Sequence, residues 1–223
     1  MTNIDVYGDS ILKGVTFDKE KCRYTINNLF SGIENVNVFN FSKFGCTIDK
    51  GKDIVDKNIE NKKISKTVIV ELGGNDSDFC WNEVSDNPKD EHFSKNTLEN
   101  FYKKYSDLIS KIKEQGVKPI IMSILPVDAE KYLDWICKDG LSKENILYWL
   151  GDVYAIYRYQ EQFSHTVERI AMEQNLPLLD MRGAFLKKRQ MKELFAVDGI
   201  HPSIAGQEVI KTELKKFVAC NLV

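Results

Sequence analysis

The sequence predicts an α/β protein: a central parallel sheet of about five strands, covered by helices on both faces. Three observations lead there. Short apolar, β-branched runs alternate with longer stretches whose apolar residues recur every three or four positions, an order that implies right-handed crossovers and parallel strands. The run Thr67-Val68-Ile69-Val70-Glu71-Leu72 is too apolar for a sheet with one wet face. Each of the first three strands runs into a glycine-bearing turn, and ligands in such sheets bind beyond the carboxyl ends of the strands.

Residues 4–14 read as the first strand and its turn, since Ile4 and Val6 alternate with Asp5, and Tyr7 follows. Gly8 permits a tight bend, Ser10 sits on what reads as a strand-to-helix turn, and Ile11 and Leu12 resume the buried pattern. Taken alone, this stretch reads more readily as a surface turn with an incidental serine. Residues 35–41 interleave Val36, Val38, Phe39 and Phe41 with asparagines as a second strand, which ends in Ser42-Lys43-Phe44-Gly45-Cys46-Thr47. A helix through Ile48, Val55 and Ile59 follows, and the third strand, residues 67–72, ends in Gly73-Gly74-Asn75-Asp76.

Across residues 96–113, Leu98, Phe101, Tyr105, Leu108, Ile109 and Ile112 mark one apolar helical face, stopped by Gly116. Residues 119–124 supply a fourth strand, a long helix runs to about Asn175, and residues 178–181 form a fifth strand behind Pro177. The last helix begins near Pro202. Residues 1–223 are expected to form a single domain with one interruption, an aromatic-rich insertion at about 128–160. Its tyrosines and tryptophans, Tyr132, Trp135 and Trp149 among them, either line a pocket or lid over the site or form the core of helices packed on the sheet.

With 31 basic and 33 acidic residues the chain has no basic surplus for nucleic acid or an anionic membrane, so a small-molecule partner is the default. Its five cysteines, Cys22, Cys46, Cys80, Cys137 and Cys220, share no close spacing and suggest neither a disulfide framework nor a zinc site. No stretch approaches a membrane span, and the amino terminus carries no signal-like segment, so a cytoplasmic protein without stable membrane association is expected.

A serine hydroxyl is a poor nucleophile until a base takes its proton, and histidine is the usual base at neutral pH. Of the three histidines, His92 sits in the charged run Lys89-Asp90-Glu91-His92 and His165 lies mid-helix. His201 differs, because Val197-Asp198-Gly199-Ile200-His201-Pro202 places a carboxylate three residues before it with a glycine between. That loop can set Asp198 on the ring nitrogen facing away from Ser10, fixing the tautomer. Acyl transfer also needs donors for the developing oxyanion, and the candidates are the N–H groups of Ser10 and Gly45 and the side-chain amide of Asn75. Read separately, Gly45 and Asn75 are ordinary turn residues and Asp198 a helix cap.

The four blocks Gly8-Asp9-Ser10, Gly45, Gly73-Gly74-Asn75-Asp76 and Asp198-Gly199-Ile200-His201-Pro202 together resemble the SGNH (GDSL-type) hydrolases in order and separation, over nearly the whole chain. The resemblance implies a flavodoxin-like three-layer α/β/α fold and ester hydrolysis through an acyl-enzyme, with no cofactor. By position it makes Ser10 the nucleophile, His201 the base and then the acid, Asp198 its orienting partner, and Gly45 and Asn75 oxyanion donors beside the Ser10 amide. Asp9 and Asp76 also match and are read as holding their turns. Leu12 stands where the nucleophile elbow of an α/β-hydrolase carries glycine, which argues against that other fold.

The expected function is a serine esterase releasing short acyl groups, acetyl on carbohydrates among them. A lysophospholipase or thioesterase acting on longer chains is the alternative within the enzyme class. A non-catalytic binding protein on the same fold is the alternative outside it.

Overall fold

The computed structural model describes residues 1–221. In chain order the elements are β1 (Thr2–Gly8), β2 (Val15–Asp18), β3 (Arg23–Ile26), β4 (Val36–Asn40), α1 (Ile48–Glu60), β5 (Thr67–Glu71), α2 (Trp81–Asp86) and α3 (Leu98–Glu114). They continue with β6 (Lys118–Met122), α4 (Ala129–Cys137), α5 (Lys143–Leu150), α6 (Ala155–Glu173), β7 (Leu178–Leu179), α7 (Met181–Leu186), a 3-10 turn (Met191–Leu194) and α8 (Ile204–Asn221).

Five of the strands form one parallel sheet in the order β4-β1-β5-β6-β7, with Val6 opposite Ile69 and Ile69 opposite Ile120. Alternate side chains of each strand go to opposite faces, so each face has its own core. Tyr7, Val68, Val70 and Ile121 pack with residues of α1, α3 and α6, and Ile4, Val6, Ile69 and Ile120 pack with those of α7 and α8. This is the three-layer α/β/α arrangement. The chain leaves β1 toward β4 on one side and resumes at β5 on the other, which opens a crevice at the carboxyl ends of β1 and β5.

The structure differs from the sequence reading in three places. No helix follows Ser10: a single turn closes with the Val15 N–H on the Ser10 carbonyl, and the chain enters the antiparallel hairpin β2–β3. Gly14 (φ +83°) stands at the base of that hairpin, where a Cβ would lie 1.9 Å from the Asn27 carbonyl oxygen. Met181 starts α7 rather than ending the fifth strand, because Asp180 accepts from the Gly183 N–H at 2.7 Å and caps a helix there. The short helix α2 was not foreseen.

The aromatic segment packs chiefly with α2 and the residues before it rather than on the sheet. Ala129, Leu133, Ile146 and Leu150 join Phe79, Trp81 and Val84 in a third core, while Tyr132 and Ile156 face a cavity at the crevice. No helix among the described residues is long and apolar enough to cross a membrane.

Candidate active site

β1 delivers the first site residue. Buried, two-sided pairing fixes its end at Gly8, and the Asp9 carboxylate then accepts from the Ile11 N–H at 2.7 Å, shaping the turn that presents Ser10. From 191 residues away, the loop before α8 brings the second. His201 Nε2 lies 2.9 Å from Ser10 Oγ, and His201 Nδ1 lies 2.7 Å from Asp198 Oδ2. Gly199 (φ +73°) makes the fold-back possible, since a Cβ there would strain the backbone and lie 2.5 Å from the Asp128 carbonyl oxygen.

All four acceptor positions of Asp198 are occupied. Oδ1 accepts from the N–H groups of Ile200 (3.1 Å) and His201 (3.0 Å), and Oδ2 accepts from His201 and from the Tyr24 hydroxyl (2.9 Å). Burial pushes this carboxyl toward its neutral form, but the bonds from His201 and from the backbone outweigh it, leaving the group below the usual carboxylate range. Asp198 therefore stays ionised beside the imidazole. A hydroxyl on the outer nitrogen of an imidazole whose inner nitrogen rests on a carboxylate can transfer its proton as it attacks.

The remaining candidates come from neighbouring loops. Gly45 follows β4 with φ +64°, a left-handed conformation that suits glycine. Among the described residues, the N–H groups of Ser10 and Gly45 donate to no protein acceptor. Asn75, after β5, differs: its amide nitrogen donates to Asp9 Oδ2 at 2.9 Å and to the Cys46 carbonyl at 3.3 Å. Asp76 accepts from the Ile48 N–H at 3.0 Å and from Asn96, so it caps α1 from the β5 loop where Thr47 provides no side-chain cap. Asp9 and Asp76 thus hold the loops that carry Ser10, Gly45 and Asn75.

Under the site lies a buried carboxyl pair absent from the sequence reading. Glu71 ends β5, accepts from the Asp9 N–H at 3.4 Å through Oε2, and leaves Oε1 without a partner. Burial and the adjacent Asp9 raise the Glu71 carboxyl well above its ordinary value, and burial raises Asp9 too. Asp76 is pushed up by burial to about 6, and the buried Cys46 thiol, beside these carboxyls, to about 12.

Ser10 opens on a cavity of about 90 Å³, whose apolar wall includes Phe79, Trp81, Ile124, Val127, Tyr132 and Ile156. Asp78 fixes two of these rings by their polar ends, accepting from Trp81 Nε1 at 2.8 Å and from the Tyr132 hydroxyl at 2.7 Å. On the His201 side the site reaches the surface, where Phe44 lies parallel to the imidazole at 5.6 Å and Tyr24 is tilted against it at 5.1 Å. His92 and His165 lie elsewhere, the first on the Asn87 carbonyl and the second exposed beside Glu161. Among the described residues no group of three or more His, Cys, Asp or Glu side chains could hold a metal ion.

The profile of the GDSL-like lipase/acylhydrolase family matches residues 6–209. Comparison with curated proteins gives no match. Among solved structures, the lipase/acylhydrolase from Enterococcus faecalis superposes with a TM-score of 0.71 at 19% identity, over 100% of this chain and 98% of that one. A mutant of the acetyl-xylooligosaccharide esterase Axe2 from Geobacillus stearothermophilus gives 0.67 at 17% identity, over 100% and 96%. The α/β hydrolase LAE5 from the metagenome of Lake Arreo, Spain, gives 0.66 at 19% identity, over 98% and 95%. At such identities the likeness is one of fold.

Proposed function

The chain belongs to the GDSL-like lipase/acylhydrolase family, whose members hydrolyse esters, and from that premise we propose that it is a serine esterase selective for short acyl groups. The observation that carries the proposal is the hydrogen-bonded chain Ser10–His201–Asp198 at the mouth of a small cavity. In this reading Ser10 Oγ attacks the ester carbonyl while His201 Nε2 takes its proton, and Asp198 stabilises the imidazolium. His201 then protonates the departing alcohol, and the returning water reverses the sequence to free Ser10.

The oxyanion would rest on the N–H groups of Ser10 and Gly45 and on Asn75. The bond from Asn75 to Cys46, at 3.3 Å the longer of its two, is the one an oxyanion would replace.

Two features support the substrate class. A cavity of about 90 Å³ is small beside the roughly 300–1,000 Å³ of pockets for larger ligands, and suits an acetyl or similarly short acyl group. The alcohol departs on the His201 side, where the exposed rings of Phe44 and Tyr24 could lie against the apolar face of a sugar. Axe2 acts on acetyl-xylooligosaccharides, which places a carbohydrate ester among the first substrates to try.

The test is hydrolysis of p-nitrophenyl acetate, butyrate and octanoate by the wild type beside Ser10→Ala. Turnover that falls with chain length and disappears in the variant is the expected result. Preference for octanoate would favour a lysophospholipase or thioesterase, and equal turnover by both proteins would remove Ser10 from its role.

A further inference from the structure

We propose that Tyr24 is a positioning residue of the catalytic site: carried on the β2–β3 hairpin, its hydroxyl shares Asp198 Oδ2 with the imidazole and sets how firmly the carboxylate holds a proton on His201. The inference rests on the proposed roles of Ser10, His201 and Asp198 and adds a fourth group behind them.

The geometry is specific. Tyr24 Oη donates to Asp198 Oδ2 at 2.9 Å, the same oxygen that lies 2.7 Å from His201 Nδ1, while Oδ1 is filled by two backbone N–H groups. Burial and the adjacent Asp198 charge raise the phenol above its ordinary value, so it remains a proton donor throughout the range in which a histidine titrates. A hydrogen bond into a carboxylate draws charge from the oxygen that faces the imidazole. The attraction between Asp198 and an imidazolium is weakened accordingly, and the imidazole gives up its proton at lower pH than it would beside an unshared carboxylate.

The hairpin is held so that this contact persists. The Gly14 carbonyl accepts from the Asn27 N–H at 2.9 Å, and Gln207 of α8 clasps the same turn, donating to the Gly14 carbonyl at 2.9 Å and accepting from the Asn27 amide at 2.8 Å. At its far end Phe17 meets Trp135 of α4 edge-on at 5.1 Å.

Other ionisable groups facing this pair come from separate elements. Asp9, on the Ser10 turn, acts on His201 by its charge, and the phenol of Tyr132, on α4, lies within the field of Asp198. Neither is touched by Tyr24→Phe, which keeps the ring and removes only the donor.

The chain has three histidines, so each ring can be followed by NMR in wild type and Tyr24→Phe, with His92 and His165 as internal references. The expected result is an upward move of the His201 midpoint by about 0.5–1 pH unit, the other two unmoved. The acid limb of kcat/KM for p-nitrophenyl acetate should move by the same amount. A His201 midpoint unchanged to within ~0.2 unit would overturn the proposal, whether or not the plateau falls. The NMR readout needs no substrate, so a protein inert to every ester would sink the esterase reading and still leave the coupling of Tyr24 to His201 tested.

Discussion

Asn75 and Glu71 show how much a single side chain decides in this site. The Asn75 amide both faces the cavity and fastens the β5 loop to Asp9. Asn75→Ala is expected to lower kcat on the order of 10²–10³ with KM little changed, as loss of one oxyanion donor does, which steady-state kinetics would show. Glu71 has the opposite character. A carboxyl whose pKa rises on folding lowers stability once the pH exceeds its unfolded value of about 4.3, and the loss grows until the folded pKa is reached. Glu71→Gln removes that loss, since an amide can still accept from the Asp9 N–H and can donate toward the Asp9 carboxylate. Its Tm should exceed that of the wild type at pH 7.5, by about 2–4 °C for each kcal/mol recovered, and match it near pH 4. The contact of Asp198 with His201 was legible in the sequence because their spacing, with Gly199 between, encodes it locally, and Ser10 stood out only once the four blocks were taken together. Tyr24 and Glu71 were not legible: Tyr24 meets Asp198 across 174 residues and Glu71 meets Asp9 across 62, and neither lies in a pattern that announces a partner.

Among the elements, α2, α4 and α6 wall the cavity beside Ser10, through Trp81, Tyr132 and Ile156. Ile156, in the first turn of α6, is 6% exposed and stands in the cavity wall. Ile156→Ala should enlarge the cavity, raise the octanoate-to-acetate ratio of kcat/KM by roughly tenfold or more, and cost about 2–5 kcal/mol of stability. Chain-length kinetics and a urea melt on the same preparation would check both. At the loop before α8, Gly199→Ala would force a Cβ to within 2.5 Å of the Asp128 carbonyl oxygen at a positive φ, so activity and Tm should fall together. Long elements such as α3 and α6 were readable from their period and β7 from the apolar pair behind Pro177, whereas the four-residue strands of the hairpin are too short to display a period. The helix expected after Ser10 failed for a related reason. Ile11 and Leu12 suit one buried turn as well as the start of a helix, and only the close approach of Gly14 to Asn27 shows which was built.

Over the whole molecule, stability and turnover should respond to pH in opposite directions. Asp9, Glu71 and Asp76 all bind protons more readily folded than unfolded, so stability declines as pH rises through the window from about 4 upward. Asp198 works the other way, but only at the acid end, where its lowered pKa confers stability that is lost as pH falls through it. In the proposed mechanism turnover requires neutral His201 and should rise with pH. Melting curves at pH 5 and 7.5 should therefore give the higher Tm at pH 5, and activity profiles the higher kcat/KM at pH 7.5. The parallel sheet that holds these groups together could be read from short apolar runs alternating with helical periods, because central parallel strands buried on both faces are mostly apolar. The hydrogen bond from the Asp128 N–H to the Gly199 carbonyl, 2.8 Å long, joins the start of the cavity-bearing segment to the loop that carries the base. Swapping that segment for another, whether by recombination in nature or by grafting at the bench, would re-aim His201 in the same stroke, so in this architecture a new taste in esters is inherited together with a new pace of turnover.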